Sequence, residues 1–160
     1  MKAHAEGFDP VYGKDSLVLI LGSFPSVRSR AVGFYYGNPQ NRFWRTVCGF
    51  FGESVPADTE GKREFLLRRK IALWDVVQSC EIEGSSDASI SGETAADLPA
   101  VFRACGARKI LCNGSKSYEV LSRYYPELIG AASKLSSTSP ANPRFSAAEW
   151  ENALREIFNR

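Results

Sequence analysis

The side chains best suited to act on a ligand fall in a few short stretches. The first is the turn Gly22-Ser23-Phe24-Pro25-Ser26, which runs into a loop both aromatic and basic, with Arg28, Arg30, Phe34, Tyr35 and Tyr36, and closes on Asn41-Arg42-Phe43-Trp44. Asp75 is the one charged residue in the apolar run 71–77, near its carboxyl end. Asn113-Gly114-Ser115 follows another apolar run, and Ser137 to Asn142 with Arg144 form a polar, proline-bearing turn near the end of the chain. Aromatic faces interleaved with arginine suit a nucleobase, because the ring stacks while guanidinium groups hold phosphate. Amides and a carboxylate can read the hydrogen-bonding edge of such a base.

Other chemistries are disfavoured. The only histidine, His4, lies near a terminus, which argues against a Ser-His-Asp triad. GSFPSVRS is not a dinucleotide fingerprint, and NGSKS lacks the first glycine of a phosphate loop. The four cysteines, Cys48, Cys80, Cys105 and Cys112, include no C-x-x-C pair, so no metal site is expected. They stand in apolar stretches, as buried free thiols of a reducing compartment would. With no long apolar run or leader pattern, the expectation is a cytoplasmic protein. Net charge is +2, so any footprint for nucleic acid must come from local clustering rather than from the total.

The elements that must position these residues follow from the apolar pattern. The 160 residues are read as one domain, 44% hydrophobic and 24% charged, enough for a core without staples. Strands are expected at 17–21, 71–77, 109–112 and 134–138. Helices are expected at 41–51, where positions 43, 44, 47, 48 and 51 share a face, and at 62–70, 95–105, 116–125 and 147–158. Ser115 is placed to cap the fourth helix, and Ser146 with Glu149 to form a capping box on the last. Residues 1–16 are assigned no regular structure. The stretch 78–94 reads as a long polar loop, of the kind that is functional or disordered. The basic cluster Lys62, Arg63, Arg68 and Lys70 suits either a solvated face or a phosphate contact. Strands alternating with helices give a parallel sheet with helices on both faces. Ser23, Asp75, Asn113 and residues 137–142 then share the carboxyl edge, where open α/β sheets bind ligands.

Two stretches also carry a family resemblance. GSFPSVRSRAVGFYYGNPQNRFW resembles the first motif of the uracil-DNA glycosylase superfamily, and KLSSTSPANPR its second. The wording YYGNPQNRFW and STSPAN is most similar to the hypoxanthine-DNA (deoxyinosine) glycosylase branch. The motifs sit on the first and last expected strands, so the resemblance spans almost the whole chain. It implies a three-layer α/β/α sandwich with a central four-stranded parallel sheet. It implies a monofunctional enzyme, acting as a monomer on DNA without cofactor or metal, that flips out a deaminated base and hydrolyses its N-glycosidic bond. Hypoxanthine is expected first and uracil second.

The resemblance also assigns roles. Asn41 matches the catalytic asparagine of the branch, where an amide would orient water; a helix N-cap is the other reading of the same residue. Ser23 falls where several relatives carry the Asp or Asn that positions water, and a lone hydroxyl is a poor substitute. Tyr36 aligns with the aromatic that stacks on the flipped base, with core packing as its alternative. Asp75 matches a base-reading position and would accept from a ring N–H; a raised pKa would be its physical sign. Phe24 and Asn113 are further base-binding candidates, although Asn113 could equally brace its turn. Ser137 occupies a slot held by His or Asn in relatives, so backbone N–H groups and Ser139 would have to serve instead. Pro140, Ala141 and Asn142 match the loop that enters the minor groove, with Ala141 in place of a bulky wedge. Ser26, Ser115 and Arg144 are phosphate-contact candidates. The absence of strong groups at Ser23 and Ser137 supports a rival reading, a non-catalytic nucleotide- or nucleic-acid-binding domain on the same fold.

Overall fold

The computed structural model describes residues 1–159. In chain order the elements are β1 (Ala3–Glu6), β2 (Val18–Gly22), α1 (Val27–Val32), α2 (Phe43–Phe50), α3 (Thr59–Arg68), β3 (Ile71–Asp75), β4 (Val77–Ile82), β5 (Ser91–Ala95), α4 (Leu98–Cys105), β6 (Lys109–Asn113), α5 (Ser115–Tyr124), β7 (Ala132–Leu135) and α6 (Ala147–Phe158).

Four strands form the expected parallel sheet, in the order β3-β2-β6-β7, with helices flanking it. β2 is central and every one of its residues is buried, as its unbroken apolar run requires. Each fully buried Leu or Ile there contributes about 1.5–3 kcal/mol. The register pairs Gly22 with Asp75 and Asn113 with Leu135, so the carboxyl ends align at one edge. The α2 face is as expected: Phe43, Trp44, Val47 and Cys48 are buried, with Phe51 just beyond. All four cysteines are buried and free.

Five expectations are corrected. Residues 1–16 are not without structure: β1 pairs antiparallel with β4. Nor is 78–94 one long loop, since it holds most of β4, a 3₁₀ turn at Asp87–Ser89, and β5, which form a second, three-stranded antiparallel sheet with β1. The third expected helix loses its start to β5, and α4 begins only at Leu98, where Asp97 caps the N–H of Ala100 at 3.2 Å. The last strand lies earlier than 134–138, because Ser136 leaves the sheet to serve α6: its carbonyl accepts from Trp150 Nε1 at 2.8 Å. Part of the loop after Pro25 is a helix, α1, capped by Ser26 through the N–H of Ser29 at 3.1 Å.

Two capping assignments also change. Gly114, at φ 96°, holds the cap position of α5, so Ser115 is the first helical residue and its side chain makes no cap. Ser146 does cap α6 through the N–H of Glu149 at 3.2 Å, but the Glu149 carboxylate accepts from the N–H of Ser136 instead of completing the box. The α3 cations are partly engaged. Arg68 and Arg69 bind Glu53, Lys62 lies over the Trp44 ring at 5.2 Å, and Arg63 over Phe34 at 5.2 Å.

Candidate active site

A cavity of about 660 Å³ opens at the carboxyl edge of the parallel sheet. Ser23, Phe24, Ser26, Tyr36, Asn41, Asp75 and Asn113 line it, together with Ser137, Ser139, Pro140, Ala141 and Asn142. Both sequence motifs thus meet at one site. Ser115 and Arg144 are exposed and stand outside its lining.

Asp75 forms the floor. It is 4% exposed, and its Oδ2 is buried with no hydrogen-bond partner among the described residues. Burial, followed by the charge of Asp87, pushes its carboxyl up to about 7. The backbone of β2 must come close here. A Cβ at Gly22 would stand 2.5 Å from Asp75 Oδ1 and 2.9 Å from the Tyr36 hydroxyl, so only glycine fits.

Tyr36 sits at φ 53°, a left-handed conformation that turns its side chain toward the sheet edge. Its ring stacks on Phe43, centroids 4.2 Å apart, so one face belongs to the core. Its hydroxyl accepts from Asn113 Nδ2 at 3.2 Å, and burial raises its pKa well above the ordinary value. Asn113 braces the edge as well. Nδ2 donates to Thr138 Oγ1 at 2.9 Å, and Oδ1 accepts from the Thr138 N–H at 3.0 Å. This ties the end of β6 to the second motif. Phe24 is buried, with the Arg30 guanidinium 5.5 Å from its ring centroid.

Arg42, not Asn41, holds the N-cap position of α2, and Asn41 lies one residue before it. Asn41 Oδ1 accepts from the Phe43 N–H at 2.8 Å, a local turn that opens α2, while the residue also lines the cavity. The bond fixes which way the amide points.

The 137–144 loop holds itself through short-range bonds. Ser137 Oγ accepts from the Ser139 N–H at 3.1 Å, Ser139 Oγ from the Ala141 N–H at 3.2 Å, and Asn142 Nδ2 donates to the Ser137 carbonyl at 3.0 Å.

Several important residues are not apparent from sequence reasoning. Arg42 acts as a buckle between the motifs. Its guanidinium donates to the carbonyls of Ser139 and, at 2.8 Å, Asn142, and lies over the Phe145 ring at 4.6 Å. Its position beside Asn41 in the first motif was the available signal. Thr138 is buried and bonded to Asn113. Asp87, on the turn between β4 and β5, reaches into the cavity lining and accepts from Ser23 Oγ at 2.7 Å. The length and polarity of 78–94 pointed to that region, but not to the residue.

No family model matches the chain. A hypoxanthine DNA glycosylase from Methanosarcina acetivorans is 38% identical over 157 residues, covering 93% of this chain and 97% of its own length. The namesake from Methanosarcina barkeri is 33% identical, covering 97% and 98%. The chain belongs to the hypoxanthine DNA glycosylase family. The solution NMR structure of a candidate uracil DNA glycosylase from Methanosarcina acetivorans matches it at a TM-score of 0.82 and 36% identity, covering 97% of this chain and 99% of that one.

Membership in the hypoxanthine DNA glycosylase family bears out the expected enzyme class and fold. Among the described residues no cluster of His, Cys, Asp or Glu could hold a metal, and no helix is long and apolar enough to cross a membrane. The histidine of this family member, His4, lies on β1 between Glu6 and Glu81, both of which raise its pKa, away from the cavity lining.

Proposed function

We propose that this chain removes a deaminated base, hypoxanthine first and uracil second, from DNA by flipping it out and hydrolysing its N-glycosidic bond. The observation that carries this reading is the buried, unpartnered carboxyl of Asp75 at the floor of a cavity walled by both motifs. Near neutral pH, Asp75 is divided between two forms. Ionised, it accepts from the ring N–H of hypoxanthine or uracil. Protonated, it also offers an O–H to the neighbouring carbonyl. Its orphaned oxygen then gains a partner only when a base is present. Tyr36 and Phe24 offer ring surface to the flipped base, and Asn113 holds the Tyr36 hydroxyl in place.

The reaction passes through an oxocarbenium-like sugar, so positioning and electrostatics supply much of the rate. Asn41, its amide fixed by the Phe43 N–H, orients the attacking water. Ser137, Ser139 and the turn through Pro140, Ala141 and Asn142 lie against the DNA strand, with Ser26, Ser115 and Arg144 toward its phosphates. A small wedge at Ala141 makes eversion depend on a weak pair, and flipping costs least at a mispaired base. The four unpaired thiols suit a reducing cytoplasm, and a cavity built from one chain suits a single-domain monomer.

The test is incubation with duplexes carrying deoxyinosine or deoxyuridine, followed by alkali. Strand breakage at the lesion is expected. Binding without breakage would refute catalysis and leave the nucleic-acid-binding domain. That rival draws its support from the hydroxyls at Ser23 and Ser137, neither of which is a base.

A further inference from the structure

The first motif places a hydroxyl, Ser23, at the cavity, and a different element brings a carboxylate to it. Asp87 belongs to the turn between β4 and β5, in the antiparallel sheet, yet it accepts from Ser23 Oγ at 2.7 Å and lines the same cavity as Asn41 and Asp75. The turn is anchored on several sides. Ser85 Oγ accepts from the Val27 N–H at 2.9 Å, and Arg30 spans from the Pro25 carbonyl at 2.7 Å to the Gly84 carbonyl at 3.1 Å. Ser89 Oγ accepts from the Glu83 N–H at 2.8 Å and donates to the Ser86 carbonyl at 2.7 Å. A carboxyl held this way is positioned before any substrate arrives.

Resting on the glycosylase reading above, we propose that Asp87 is the catalytic carboxylate of this site, positioned by Ser23 and accepting the proton of the attacking water. As the C1′–N bond breaks, its electron pair leaves on the base. The water oxygen bonds to C1′, and the proton it releases passes to Asp87 and from there to the departing base. Water and nucleotide become abasic site and free base, with no other reactant. The negative charge of Asp87 also faces the oxocarbenium as it forms.

The two acids of the cavity divide the work by environment. Asp75 is enclosed at a strand end and suits reading the base. Asp87 is an exposed residue at the mouth whose carboxyl is partly desolvated by its surroundings, which raises its pKa, opposed by the Ser23 hydrogen bond and by the charge of Lys116. The titratable groups around it are Asp75 on β3, Lys116 on α5, Tyr36 in the first motif and Cys80 on β4. Ser23 is the positioning residue: its O–H stabilises the ionised form.

The experiment is single-turnover cleavage of a deoxyinosine duplex across pH, with affinity measured separately on a duplex bearing a tetrahydrofuran abasic analogue. Asp87→Asn should lower cleavage by about 100-fold or more and leave affinity within about twofold. Ser23→Ala should move the acidic limb of the pH–rate profile upward by roughly 0.5–1 unit, because the carboxylate loses its donor. A merely structural role would not move that limb. Formate should partly rescue Asp87→Ala. A wild-type chain that cleaves while Asp87→Asn cleaves within about threefold of it overturns the role of Asp87 and spares the glycosylase reading. An unmoved limb in Ser23→Ala does the same, and decides alone if Asp87 variants fail to fold. A wild-type chain that binds but never cleaves overturns both.

Discussion

Asp75→Asn should make the protein more stable, and by an amount that grows with pH. Unfolded, the Asp75 carboxyl titrates near its ordinary 3.8; folded, burial lifts it to about 7. Between those values the folded chain holds a proton that the unfolded chain has released. Stability therefore falls as pH rises from about 4 to about 7 and levels off above. At about 1.4 kcal/mol per unit, the full loss is about 4 kcal/mol, of which about 2.5 falls between pH 5 and pH 8. Asparagine has nearly the same shape and cannot ionise, so the variant escapes that loss. Asp75 is 4% exposed, so solvent does not screen the effect appreciably. The assay is urea unfolding of both proteins at pH 5, 6, 7 and 8, followed by fluorescence of the buried Trp44, Trp74 and Trp150. The stability difference should widen by about 2–3 kcal/mol over that range, and in thermal melts by about 5–10 °C. His4, whose pKa is raised by Glu6 and Glu81 on the antiparallel sheet away from the cavity, contributes equally in both proteins, so it cancels. A difference that stays flat from pH 5 to pH 8 would refute a buried, protonated Asp75.

Three further outcomes follow from the geometry. Asn41→Ala should cut turnover on the deoxyinosine duplex by about 100-fold while changing DNA affinity little; a small loss of turnover would reduce Asn41 to the opening of α2. Gly22→Ala should place a methyl 2.5 Å from Asp75 Oδ1, destabilising the fold by about 1–3 kcal/mol and blocking the site; unchanged kcat/KM would show that the floor yields. Arg42→Ala removes the donors to Ser139 and Asn142, so limited proteolysis within 139–143 should accelerate and stability fall by about 1–3 kcal/mol, and an equally resistant loop would show that its own hydrogen bonds suffice.

Most of the parallel sheet was legible because β2 and β3 are buried along their whole length, and β6 along most of it, and they read as near-continuous apolar runs, whereas the half-buried, more polar β7 was placed too late. The second sheet was not legible. β4 and β5 carry Ser, Glu and Gly, so their strand character comes from pairing, β5 with β4 and β4 across the chain with β1, which no local window contains. The same limit governs the site. Asn41 and Tyr36 belong to the first motif and Asp75 is the lone charge in an apolar run, so their residue types stand out locally, and the sheet edge brings them together. Arg42 and Asp87 matter through partners 97 and 64 positions away, and nothing in their own neighbourhoods reveals those partners.

Under the role proposed for Asp87, that distance lets a turn that carries only the Ser23 hydroxyl serve hydrolysis. A group in the first motif is bound to the first motif's backbone, whereas a carboxylate on a separate hairpin can be moved, tilted or lost without disturbing β2. The bond from Ser23 to Asp87 converts this independence into a fixed geometry, because the hairpin tip is also held by Ser85 and Arg30. The arrangement keeps two acids in one cavity without forcing both to ionise. Desolvation raises both carboxyls, Asp75 to about 7 and so divided between two forms near neutral pH, while at Asp87 the Ser23 hydroxyl and the Lys116 charge oppose that rise. Exchanging those environments would exchange the roles. Removing the Ser23 hydroxyl and removing the Lys116 charge should therefore shift the pH–rate profile in the same direction, since each withdraws support from the same carboxylate.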